Sequence, residues 1–120
     1  MSGKDAAREE RILTEAIVDA NGPEEQAMGW YYYLEDRISF PFDAECITVD
    51  KRTPLDVGER ATAVRMAGEA YCEHDMYVEI SWRGKALAVP LYLIKPSNAD
   101  EDTVEAIDDW HYWKSRGYTL

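Results

Sequence analysis

Residues Met76 to Leu93 carry the pattern that leaves the fewest folds open. Met76, Val78, Ile80 and Trp82 alternate with Tyr77, Glu79 and Ser81. A period of two marks a strand with one buried face. Arg83-Gly84 follows where a tight hairpin turn belongs, and Leu87, Val89, Leu91 and Leu93 return along the inner side. A hairpin with one apolar face is not stable alone in water, so the rest of the chain must cover it.

The flanking segments supply that cover. Residues 4–19 are predicted as a helix, with Ile12, Leu13, Ala16, Ile17 and Ala20 recurring at helical spacing. Asn21-Gly22 ends it, and Pro23 suits the first position of a second helix running to about Asp36. Ala27, Trp30, Tyr31 and Leu34 form its apolar stripe, with Glu24 and Glu25 near the positive end of the dipole. Ile38, Phe40 and Phe42 then alternate, which predicts a strand through Cys46 to Val49, with Pro41 at an edge or bulge. Thr53 to Gly58 reads as a turn. Glu59 to Met66 reads as a strand with Thr62, Val64 and Met66 on one face. A last helix is predicted from Asp102 to Arg116, capped by Gly117, with Val104, Ile107, Trp110 and His111 on one face. The expected architecture is α+β: a small bent SH3-like β-barrel of four or five strands, two N-terminal helices and one C-terminal helix. No repeat or low-complexity linker divides residues 1–120, so one domain is expected.

Charge narrows the function. Twenty-four acidic against thirteen basic residues give a net charge of −11. That argues against nucleic acid or an anionic membrane as partner and favours cations, basic proteins or simple solubility. Two cysteines, Cys46 and Cys72, provide no disulfide framework and are expected to be reduced and buried. The first twenty residues lack an apolar signal core, and the run from Ala86 to Ile94 is too short to span a bilayer. A soluble, cytoplasmic monomer is expected.

The acids themselves are clustered. Of the twelve residues from Asn98 to Asp109, six are carboxylates and none is basic. Glu101, Glu105 and Asp108 stack along one side of a helix, as do Asp102, Glu105 and Asp109. Several oxygens within mutual reach are what calcium needs. The competing reading is an N-terminal capping box, Asn98 with Glu101 or Asp102 with Glu105. Glu35 and Asp36 stand at the C-terminal end of the second helix, where the dipole disfavours negative charge and the last carbonyls lack donors. Asp43 and Glu45 share one strand face a few residues on. The candidate metal ligands are therefore Glu35, Asp36, Asp43, Glu45, Asp100, Asp102 and Glu105. Against this, Glu35 or Asp36 can pair with Arg37, Arg52 or Arg60.

Other chemistries find less support. Asp100-Glu101-Asp102 opens like an EF-hand, but Glu105 stands where that loop needs glycine. Cys72, His74 and Asp75 with Cys46 or His111 offer zinc-type atoms without paired CxxC spacing. No catalytic triad, phosphate loop or nucleotide fingerprint appears, and no enzyme activity is expected. An acidic adaptor that binds a basic protein partner, without a specific metal, is the alternative to calcium binding.

Three long stretches resemble one family. They are AMGWYYYLEDRISFPFDAECI (27–47), PLDVGERATAVRMAGEAYCEHDMYVEISWRGKALAVPLYLI (54–94) and DTVEAIDDWHYWKSRGY (102–118). Together they are similar to the cyanobacterial-type calcium-binding proteins called CcbP. The resemblance implies a small β-barrel with flanking helices that binds calcium on an acidic surface without EF-hands. The expected role is a calcium buffer or sensor, and the resemblance does not assign ligands among the acids.

Overall fold

Ala27, Trp30, Tyr31 and Leu34 are all buried along one side of α2 (Pro23–Arg37), as their spacing predicted. A computed structural model describes residues 5–18 and 20–116. Before α2 comes α1 (Ala6–Arg11), which widens at once into a π-helical turn, Ile12–Ala16. Ile17 N donates to Ile12 O at 3.0 Å, five residues back. The wider turn brings Ile17 beneath Ile12, so Ile12, Ala16 and Ile17 are buried while Leu13, expected inside, is 53% exposed. The helix ends at Ala16, short of the predicted residue 19, and residues 17 and 18 bend away because Ile17 leaves helical geometry. Gly22 takes φ +90°, which costs a glycine little, and Pro23 follows at the start of α2.

Five strands form one antiparallel sheet: β1 (Phe42–Cys46), β2 (Arg60–Met66), β3 (Tyr77–Trp82), β4 (Lys85–Pro90) and β5 (Ile94–Asn98). Their order is β4-β3-β2-β1-β5. The α+β class is as expected, but the sheet is open. Among the described residues no pairing joins β4 to β5, so the expected SH3-like barrel does not close. β1 begins only at Phe42, because α2 runs on to Arg37 and Pro41 has no N–H to give a ladder. In β2 the register shifts between Ala63 and Arg65. The bulge turns the strand over, so Ala63 and Met66 are buried and the expected face of Thr62, Val64 and Met66 does not exist. The hairpin of β3 and β4 turns at Arg83 and Gly84, both at positive φ.

α3 (Glu101–Ser115) lays Ala106, Ile107, Trp110 and Trp113 into the core. Trp30 meets Trp110 edge to face at 5.0 Å and Trp113 at 6.0 Å. Val104 and His111, expected on this inner face, lie at its margin; His111 stacks on Tyr92 and its Nε2–H donates to Ile94 O at 2.9 Å. The expected cap Gly117 lies outside the described residues. At the other end the cap is Asp100, whose Oδ1 accepts Thr103 N at 2.7 Å, and neither expected capping box is used. That backbone hydrogen bond holds the Asp100 carboxyl below its ordinary pKa. The cap therefore stabilises the fold above the unfolded carboxyl pKa and is lost as pH falls through the folded one. Asp100→Ala is expected to lower the melting temperature by a few degrees, with Asp100→Asn recovering most of the loss. Thermal melts of the two variants at neutral pH check this, and the same shift for both would assign Asp100 a charge role instead.

Candidate metal centre

Burying Trp30, Tyr33 and Leu34 on the inner side of α2 forces Tyr32, Glu35 and Asp36 outward. They line an open groove of about 770 Å³ between the end of α2 and the π turn, with Glu15 on the far side. Gly29 lets the two segments meet. A β-carbon there would lie 2.4 Å from the carbonyl oxygen of Ala16.

Among the described residues, neither Glu35 nor Asp36 has a basic partner within ion-pair distance. Arg37, their neighbour in sequence, turns away. It bonds Glu15, lies 3.9 Å from Glu105 and covers the Tyr33 ring at 4.8 Å. Arg52 is held by Asp50 at 2.9 Å and Asp75 at 3.2 Å. The carbonyl of Glu35 would normally accept from Ser39 N, but that N–H goes to Thr103 Oγ1 at 2.8 Å.

The other predicted ligands are dispersed. Asp43 and Glu45 do share the outer face of β1. Asp43 lies beside Asn98 and Arg60 in a separate shallow groove. Glu45 stands opposite Arg60 on one side and Lys95 on the other. Asp100 is occupied as the cap of α3, and Asp102 is exposed. Glu105 leans toward Arg11 at 3.8 Å and Arg37 at 3.9 Å. Among the described residues, no three His, Cys, Asp or Glu side chains are gathered as a ready-made metal cage. The zinc-type atoms are not gathered either: both thiols are buried and outside any disulfide, and burial raises their pKa values.

The placement of two acids was missed in the sequence. Glu15 reads there as one more charge on an amphipathic helix, and nothing local signals that it faces Asp36 across a groove. Asp109 reads as part of the solvated acidic stack, yet it is fully buried against Arg8, Arg11 and Tyr33. Its position between Ala106, Ile107, Trp110 and Trp113 was the available signal.

The groove is therefore lined by three carboxylates, Glu35 and Asp36 without a basic partner among the described residues and Glu15 held by Arg37. Carboxylate oxygens are the donors calcium accepts, in flexible geometry, although the three are not gathered around one point. Similarity to known proteins gives the class, a calcium-binding protein. The sequence pattern of the CcbP family, described as calcium binding, matches residues 10–114. The chain is similar to the crystal structure of Anabaena CcbP, at 42% identity and TM-score 0.88 over 99% of this chain and 98% of that one. It is also similar to a calcium binding protein solved in its calcium-binding form, at 41% identity and TM-score 0.84 over 100% of both chains. No curated protein matches the sequence significantly. This chain belongs to the CcbP family of calcium-binding proteins, a family of binders rather than enzymes. Among the described residues, no helix is long and apolar enough to cross a membrane.

Proposed function

We propose that this protein is a cytoplasmic calcium buffer or sensor whose tightest site is the groove at the end of α2. The observation that carries the reading is the pair Glu35 and Asp36, exposed at the negative end of a helix dipole without a basic partner among the described residues. Like charges so placed repel each other and the helix carbonyls, and a divalent cation removes that repulsion. Asp100, Asp102 and Glu105 form a second, weaker site, because Asp100 already caps α3 and Glu105 already faces two arginines. Asp43 and Glu45 add negative charge on the outer face of the sheet.

Calorimetric titration tests the assignment. Calcium is expected to bind saturably and more tightly than magnesium, whose strict octahedron suits a loose, many-oxygen site less well. Asp36→Asn or Glu35→Gln is expected to weaken the tightest step by about tenfold or more, the scale of a lost charged ligand. Neither change touches the buried side of α2, so the melting curve without calcium should be kept. An isotherm unchanged in both variants would move the site elsewhere, first to residues 100–105.

A further inference from the structure

The outer face of α2 carries more than the candidate calcium groove. Glu24, Met28, Tyr32 and then Glu35 and Asp36 fall along one stripe of the helix. At the calcium end, Val18 (54% exposed) and Tyr32 (51% exposed) line the groove beside Glu35 and Asp36. Toward the start of the helix lies a second groove of about 330 Å³, formed by Glu24 and Met28 of α2 with Glu69, Ala70 and Glu73. The two grooves lie on the same side of α2, and between them the Tyr32 hydroxyl of the first donates to Glu69 Oε2 of the second at 2.8 Å. Val18 and Tyr32 give the first groove exposed apolar surface, and partly buried Met28 with Ala70 gives the second a smaller apolar part.

Arg37 apart, the charge at its edges is negative. Glu24, Glu35, Asp36, Glu69 and Glu73 border the stripe, and among the described residues none of the five is in an ion pair. Arg37, the basic residue of the stripe, is already bonded to Glu15. From Glu24 to Asp36 the helix rises about 18 Å, the length of a helical segment of roughly 12 residues. Apolar floor, acidic edges and that length select an occupant with apolar residues on one face and lysine or arginine on its flanks.

We propose that this stripe docks a basic amphipathic helix of a partner protein, and that calcium at Glu35 and Asp36 displaces it. The second clause rests on the calcium site proposed above; the first does not. Two of the five edge carboxylates are the candidate ligands, so the cation and the basic segment draw on the same charges. Calcium then releases the partner.

The test uses the full-length protein and a synthetic helix of leucine and lysine in amphipathic order, with a scrambled peptide of the same composition. In calcium-free buffer at physiological salt, the ordered peptide is expected to bind about tenfold more tightly than the scrambled one, because only it presents an apolar face to the floor. Equal binding of both would overturn the proposal and leave only charge attraction. Tyr32→Ser is expected to abolish the difference. Val57→Ser, at an apolar residue 60% exposed outside both grooves, is expected to preserve it. If both substitutions act alike, the docking site is not this stripe. Calcium is expected to weaken the ordered peptide in the wild-type protein by about tenfold, and to lose most of that effect in Asp36→Asn. Calcium that binds by calorimetry yet leaves peptide affinity unchanged would refute the displacement. Calcium that does not bind at all would refute the calcium site and leave the docking result standing.

Discussion

Replacing Asp109 by alanine is expected to lower the free energy of unfolding by about 3 kcal/mol. Asp109 is fully buried on α3 and joins all three helices. Arg11 on α1 donates to it twice, at 2.7 and 3.0 Å, and Arg8 lies 3.2 Å away. The Tyr33 hydroxyl on α2 donates to Oδ2 at 2.7 Å. The hydrogen bonding raises the Arg11 pKa, against the opposing effect of desolvation. Alanine would leave two guanidinium groups and a hydroxyl facing a void. Each arginine keeps about a quarter of its side chain in solvent and can turn outward, which places the loss at the low end for a broken buried pair. Asp109→Asn keeps the shape and one acceptor, so it should cost less. Tyr33 supplies a pH signature. Burial first, and the bond to Asp109 second, raise its pKa above the ordinary 10.0. The folded state therefore keeps the proton longer than the unfolded one. Its contribution is full below the unfolded value and is lost as pH rises through the folded one. Chemical denaturation of wild type and Asp109→Ala at neutral pH, and of Tyr33→Phe across alkaline pH, measures both effects. Coincident unfolding curves for wild type and Asp109→Ala would show that the network adds nothing.

Gly29→Ala is expected to cost up to about 2 kcal/mol, against the rule that alanine improves a helix interior. The propensity gain is about 1 kcal/mol. The new β-carbon, however, falls 2.4 Å from the Ala16 carbonyl oxygen and 3.4 Å from the Ile17 Cα. Both are backbone atoms, so no rotamer change relieves the contact and the π turn must move off α2. Overpacking of that kind costs about 1–3 kcal/mol and outweighs the gain. Glu15 moves with Ala16, which separates it from Arg37 and opens the groove. Calcium affinity should therefore shift together with stability, and urea unfolding with a parallel calcium titration reads both. Gly68→Ala is the control: nothing lies within 4 Å of its β-carbon and its φ is −60°, so it should be neutral. A stabilised Gly29→Ala would mean that the two segments do not touch there.

Much of this fold is written locally. The alternation from Met76 to Trp82, the turn at Arg83 and Gly84, and the stripe Ala27, Trp30, Tyr31 and Leu34 appear where their periods put them. A period records which side of an element is buried, and that requires no knowledge of the neighbour. The same local logic exposed Glu35 and Asp36, since they fall on the side of α2 opposite its apolar stripe. The resemblance to CcbP needed only long, ordered runs of residues.

The rest depended on which elements meet. β5 reads Ile-Lys-Pro-Ser-Asn, with no alternation and a proline that cannot donate; it is a strand because β1 has a free edge beside it. The open sheet follows from strand order, which no single segment encodes. Arg37 was one of three arginines that could have paired with its neighbours, but it bonds Glu15, twenty-two residues back in the chain. Asp109 looked like a solvated acid until Arg11, ninety-eight residues away, was packed against it. Charged side chains are long and their partners are chosen by proximity in space. An acid's role as ligand, cap or buried anchor is therefore decided by tertiary packing, because side-chain periodicity reports burial and carries no information about the counter-ion.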